Sequence, residues 1–131
     1  MILVDTSVWI EFLRGTTTPA TEFVRDHLGS DLATTEPVMM ELLAGTRAGR
    51  RTEQVERLML SQHWCRVDPT LDYRGAVDVF HAARAAGTKP RALQDCLIAA
   101  IALRHGARLA HRDVDYEHLA RATGLEVIDL R

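Results

Sequence analysis

The chain begins with a short unbroken apolar run, Ile2, Leu3 and Val4, that stops on Asp5. A run of this kind predicts a central parallel strand, because a strand covered on both faces loses the polar alternation of a half-exposed one. The period then changes. Val8, Trp9, Phe12 and Leu13 recur at helical spacing, with Thr6 or Ser7 placed to cap the helix and Gly15 to end it. A second helix is expected over roughly residues 20–28, closed by Gly29, followed by a brief strand in DLATT. EPVMMELLAG has Pro37 in its first turn and Gly45 just past its end, the asymmetry of a helix. TRAGRRTEQVERLMLSQ predicts a charged helix with Val55, Leu58 and Met59 on one face, and HWCRV a strand.

In the second half, LDYRGAVDVFHAARAAG places Ala76, Val79, Phe80 and Ala83 on one helical face. After the loop TKPR, ALQDCLIAAIALRHG is the most apolar helix. Leu93, Leu97 and Ile101 form one stripe, with Ile98 and Ala102 beside it, so burial between a sheet and outer helices is expected. RLAH predicts a strand, DVDYEHLARATG a helix with Asp113 near its N-terminus, and LEVIDL a last strand. Strands alternate with helices from end to end, without an internal repeat or linker. That predicts one α/β domain over residues 1–131, a three-layer α/β/α sandwich around a mostly parallel sheet with right-handed crossovers.

Composition narrows the picture only modestly. With 47% hydrophobic and 26% charged residues the chain is ordinary for a globular domain, and a net charge of −2 gives no global attraction for nucleic acid or an acidic membrane. Any polyanion must therefore be met by a local patch. The bases are almost all arginine, with Lys89 the single lysine. Codon bias explains this as readily as selection for bidentate phosphate contact. Cys65 and Cys96 match no metal or redox spacing and read as small core residues in a reducing compartment. Asp5 stands where a signal peptide would be apolar, and the longest apolar run, CLIAAIAL, is far too short to span a bilayer. A cytoplasmic setting without membrane contact is expected.

The acids carry the chemistry. In open parallel sheets, ligands bind beyond the carboxyl ends of the strands where strand order reverses. Asp5 closes the first strand, Asp113 and Asp115 follow the RLAH strand, Asp95 falls in the first turn of the apolar helix, and Glu41 sits mid-helix. Each alone has a plain explanation: aspartates are favoured at helix N-termini, and Glu41 suits any half-exposed helix face. Gathered together they do not. Two carboxylates about 4 Å apart repel by roughly 4 kcal/mol at an effective dielectric of 20. Either the fold keeps such groups apart or it builds a cation site, and oxygen-only donors point to Mg²⁺ or Mn²⁺ rather than zinc.

Four stretches, VDTSVWIEFL, PVMMELLAG, LQDCLIAAIAL and AHRDVDYEHLA, stand in an order and at intervals that identify a family. Over essentially its whole length the chain resembles the PIN-domain ribonucleases, and among them the VapC-type toxins of type II toxin–antitoxin (VapBC) systems. The resemblance implies a PIN-like fold with Asp5, Glu41, Asp95 and Asp113 as an acidic quartet and Asp115 as a fifth member. It implies Asp5, Asp95 and Asp113 as ligands of Mg²⁺ or Mn²⁺, with Thr6 or Ser7 orienting Asp5. It implies hydrolysis of RNA phosphodiesters by a metal-activated water, with Glu41 assisting a second ion, to leave 5′-phosphate and 3′-hydroxyl ends.

A small VapB-type antitoxin would cover the apolar helices near the N-terminus, with Trp9, Phe12 and Leu13 as a candidate surface, and would push a basic side chain into the acidic pocket. A homodimer and a toxin–antitoxin hetero-oligomer in the bacterial cytoplasm are implied as well. The chain departs from many relatives at Ala92, where Ser or Thr is common, and at Arg112, where a small polar residue is common. Arg112 is expected either to clamp a phosphate or to neutralise the acids.

RNA must pass the negative field of the acids, so a basic rim is expected among Arg14, Arg47, Arg50, Arg51, Lys89 and Arg91, each of which alone fits a solvated helix face equally well. With only seven aromatic residues, and Trp9, Phe12 and Phe80 reading as core, recognition by backbone and shape of a structured RNA is expected rather than base stacking. Two other readings stay open: a catalytically silent PIN-like module that binds RNA or protein, and a PIN nuclease of RNA processing. A phosphoacceptor receiver domain would need a lysine late in the sheet, and a haloacid-dehalogenase-like phosphatase would need an aspartate at Ser7.

Overall fold

The first strand, β1 (Ile2–Val4), is buried at all three positions, which only a central strand achieves. The computed structural model describes residues 1–131 in full. Twelve elements follow one another in the predicted alternation: β1, α1 (Thr6–Arg14), α2 (Pro19–His27), β2 (Leu32–Thr34), α3 (Glu36–Ala44), α4 (Arg50–Leu60), β3 (His63–Trp64), α5 (Pro69–Ala85), α6 (Leu93–His105), β4 (Arg108–His111), α7 (Val114–Thr123) and β5 (Val127–Asp129). The strands form one five-stranded sheet in the order β3-β2-β1-β4-β5, and every pairing is parallel.

That order reverses at β1. The chain steps outward from β1 to β2 and β3, then returns through α5 and α6 to place β4 on the other side of β1. Right-handed crossovers consequently put α1–α4 on one face and α5–α7 on the other. The helix contacts agree, since α1 packs on α2 and α3, α3 on α4, and α5 on α6 and α7. The reversal opens a crevice at the carboxyl ends of β1 and β4, where Val4 pairs with Ala110 and the Asp5 N–H donates to the Ala110 carbonyl at 3.0 Å.

α6 lies against the sheet on the α5–α7 side, and its seven consecutive residues Cys96 to Ala102 are all buried. A helix covered on every side has no reason to be amphipathic, which accounts for its uniform apolarity. Gly75 in α5 and Ala100 in α6 allow the two helices to meet closely, since a Cβ at position 75 would lie 3.2 Å from the Ala100 Cβ. Both cysteines are buried and free, and Trp9 is fully enclosed, whereas Phe12 and Phe80 pack only part-buried against the core.

Several expectations need correction. The cap of α1 is Asp5 itself, whose side chain accepts the Ser7 N–H, rather than Thr6 or Ser7. Only His63 and Trp64 of HWCRV pair as strand. Leu93, expected on the buried stripe of α6, is 63% exposed: it is the first residue of the helix, and burial begins only at Cys96. Trp9 cannot present a partner surface, because core atoms cover it completely.

The α5–α6 layer is pinned by an ion pair. Asp72, 1% exposed, accepts from Arg104 Nε at 2.7 Å and Nη2 at 2.9 Å, and also from the Asp68 N–H at 2.7 Å. Burial raises the Asp72 carboxyl, but the Arg104 and Asp68 hydrogen bonds and the Arg104 charge together leave it below its ordinary value. Its contribution is thus complete above the unfolded pKa of about 4 and is lost as pH falls through the depressed native value. Asp72→Ala is expected to lower unfolding free energy by about 3 kcal/mol at pH 7. Urea denaturation at pH 7 and pH 3 checks this, with the difference between wild type and variant shrinking at the lower pH.

Candidate active site

Asp5 is where the strand signal and the chemistry meet. Sequence and topology force its carboxylate to the mouth of the crevice, where it is 6% exposed. Its Oδ2 accepts from Ser7 Oγ at 2.6 Å and from the Ser7 N–H at 3.2 Å. Its Oδ1 accepts from the Tyr116 hydroxyl at 2.9 Å. Both oxygens are therefore oriented, and Ser7 does the orienting on one side. Thr6 does something else: its Oγ1 donates to Glu41 Oε1 at 2.9 Å.

Asp95 enters from the other side of the crevice, in the first turn of α6, directly before the buried Cys96. The Tyr116 hydroxyl is its only side-chain partner, at 3.2 Å from Oδ1. Burial, followed by the charge of Asp5 and then those of Asp113 and Asp115, pushes the Asp95 carboxyl up to about 7, with the Tyr116 hydrogen bond opposing the rise. Burial and neighbouring like charges both disfavour the ionised carboxylate, and here they act together.

Asp113 caps α7, accepting the Asp115 N–H on Oδ1 at 2.9 Å. Its own N–H donates to Nδ1 of the fully buried His111 at 3.1 Å. The neutral ring then carries its proton on Nε2, which donates to Glu117 Oε2 at 3.1 Å. One carboxylate oxygen from each of Asp95, Asp113 and Asp115 lies within 4.8 Å of the others. At that spacing each ionised pair repels by roughly 3 kcal/mol at a dielectric of 20. Arg91 offsets part of this, donating Nη2 to Asp113 Oδ1 at 2.9 Å and Nε to Asp115 Oδ2 at 2.8 Å.

The fold thus gathers Asp5, Asp95, Asp113 and Asp115 at one crevice. Asp95, Asp113 and Asp115 form the close trio, and Asp5 joins Asp95 through the Tyr116 hydroxyl. Glu41 is exposed and stands apart at the rim, linked through Thr6 and, at 3.4 Å, through Gln94. Arg112 fits neither expected role, since it pairs with Glu11 at 2.6 Å and donates to the Leu130 carbonyl. Of the expected rim, Arg91 pairs with the acids. Arg14, Arg47 and Arg51 line a cavity of about 470 Å³ that also includes Glu41.

Tyr116, His111 and Gln94 were absent from the sequence reading. Tyr116 had a signal: with Leu119 three residues on, it forms the buried face of α7, where a lone hydroxyl needs a partner.

A donor set made only of carboxylate oxygens, three of them within 4.8 Å of one another, fits a hard divalent cation. Comparison with known proteins identifies the family. The family model of the PIN domain matches residues 2–122. Ribonuclease VapC11 of Mycobacterium tuberculosis is 42% identical over 134 aligned positions that span 100% of both chains. Among solved structures, a toxin–antitoxin complex from Klebsiella pneumoniae superimposes with a TM-score of 0.78 at 17% identity, covering 100% of this chain and 98% of that one. FitAB bound to the IR36 DNA fragment gives 0.77 at 21% identity, over 98% and 94%. The chain belongs to the PIN-domain family, as a member of its VapC branch.

Proposed function

We propose that this chain is a divalent-metal-dependent endoribonuclease, working in the bacterial cytoplasm as the toxin of a VapBC-type pair. The observation that carries the reading is the gathering of Asp5, Asp95, Asp113 and Asp115 at the β1/β4 crevice, in a chain 42% identical to named VapC ribonucleases. Asp5, Asp95 and Asp113 would hold Mg²⁺ or Mn²⁺, with Asp115 beside them. When bound, such an ion supplies a water acidic enough to attack a phosphodiester at neutral pH and offsets the charge that develops on the phosphate.

The protein's own groups set the stage for that chemistry. Ser7 fixes the rotation of the Asp5 carboxylate, and the packing of α6 fixes Asp95. His111 and the cap geometry fix Asp113. Glu41, held by Thr6, marks the mouth, and Arg14, Arg47 and Arg51 beside it offer phosphate contacts that offset the repulsion between RNA and the acids. A folded RNA whose loop enters backbone-first suits a crevice without exposed aromatic platforms. A VapB-type antitoxin would silence the site by covering the outer face of α1 and α3, where Ile10 and Leu13 stand in place of the enclosed Trp9.

Asp5→Asn and Asp95→Asn are each expected to remove Mg²⁺-dependent RNA cleavage while the circular-dichroism spectrum stays native. A folded Asp5→Asn protein that cuts at the wild-type rate would overturn the assignment.

The raised Asp95 carboxyl gives a second test. In the native state it keeps a proton, between about pH 4 and about 7, that the unfolded chain has lost, so metal-free stability falls as pH rises through that window. Asp95→Asn should accordingly raise the metal-free Tm at pH 8, by about 3–5 °C for each kcal/mol of repulsion relieved. The same proton competes with the cation. Mg²⁺ affinity measured by calorimetry should weaken by up to about tenfold per pH unit below 7 and level off above it.

A further inference from the structure

The Tyr116 hydroxyl sits between two carboxylates that nothing else joins. It is 2.9 Å from Asp5 Oδ1 and 3.2 Å from Asp95 Oδ1, at the end of a ring that is 1% exposed and rests on the fully buried His111 at a centroid distance of 5.4 Å. A phenolic hydroxyl has one proton and so donates to one acceptor at a time. The other contact is satisfied either by a proton on the carboxyl, which then donates to the hydroxyl oxygen, or by positive charge close by. Asp5 and Asp95 come from opposite sides of the sheet, on the turn after β1 and the first turn of α6, and no backbone hydrogen bond ties the two turns together. Ser7 holds the other Asp5 oxygen, whereas Asp95 has no further side-chain partner. The distance between the two carboxylates is therefore set by α6 packing and by this hydroxyl.

We infer that Tyr116 is a positioning residue whose hydroxyl holds Asp5 and Asp95 at the separation a divalent cation requires, so that ion affinity depends on it. The inference rests on the metal reading above. A group that supports metal ligands in this way typically contributes 10- to 100-fold to metal affinity or activity. Tyr116→Phe keeps the ring against His111 and removes only the hydroxyl, so a native fold is expected.

The test is Mn²⁺ binding to the full chain by calorimetry, together with RNA cleavage as a function of Mn²⁺ concentration. For Tyr116→Phe, the dissociation constant and the half-saturating Mn²⁺ concentration should both rise by 10-fold or more. Saturating Mn²⁺ should restore most of kcat, which a purely structural loss would not allow. Equal Mn²⁺ affinity in wild type and Tyr116→Phe overturns the inference and leaves the metal reading intact, whereas absence of Mn²⁺ binding by the wild type overturns both.

A second measurement keeps the native hydroxyl. Tyr73 is the only other tyrosine and is 59% exposed, so Tyr73→Phe leaves Tyr116 as the sole tyrosine without disturbing the core. With ¹³Cζ-labelled tyrosine, its resonance should move on Mg²⁺ titration with the same midpoint as calorimetric binding. A resonance unmoved at saturating Mg²⁺ overturns the inference.

Discussion

Repulsion among carboxylates at the β1/β4 crevice is the constraint around which this molecule is arranged. Three carboxylate oxygens lie within 4.8 Å of one another, and a fourth acid, Asp5, shares a hydroxyl with one of them. At roughly 3 kcal/mol for each ionised pair, such a cluster consumes a large part of the 5–15 kcal/mol that keeps a domain folded. Something must offset it when no cation is present. Three devices do: Asp95 is pushed to about 7 and so gives up its charge readily, Arg91 spans Asp113 and Asp115, and the hydroxyls of Ser7 and Tyr116 hold Asp5.

The acids are placed by the most local rules of folding. Asp5 and Asp113 are both N-cap residues, each accepting an N–H two residues further on. The same interaction that begins α1 and α7 thus fixes where two of the four carboxylates stand. A cap leaves the second oxygen free for another partner, and that of Asp5 accepts from the Tyr116 hydroxyl. The plain reading of these aspartates as caps and the reading as site residues are accordingly both correct. One residue performs both tasks, because a cap needs only part of a carboxylate's hydrogen-bonding capacity.

How much of this was legible in the sequence follows from the range of each interaction. Periodicity gave the order of strands and helices, since each element is fixed by neighbours within a few residues. The acids were legible because Asp5 interrupts an apolar strand and Asp113 follows one. For Tyr116 the helical period marks a buried hydroxyl in need of a partner, but not which partner, since it meets Asp5 across 111 positions of sequence. Arg112 shows the same limit: adjacency to Asp113 suggests a shared role, yet its side chain meets Glu11 at 2.6 Å. Arg91, 22 and 24 positions before Asp113 and Asp115, makes the pairing with these acids instead.

α6 shows why the most apolar segment carries one of the most charged positions. Asp95 is followed at once by seven buried residues, Cys96 to Ala102, that interlock with the sheet, α5 and α7. Each large aliphatic side chain among them is worth about 1.5–3 kcal/mol when fully buried. Rotating or sliding the helix far enough to move Asp95 away from Asp5 would expose several of them together. The carboxylate is thus held against its neighbours by hydrophobic packing one turn away, with the Tyr116 hydroxyl as its one side-chain hydrogen-bond partner. That division of labour lets the site stay short of electrostatic partners, and therefore receptive to a cation, without loosening the fold.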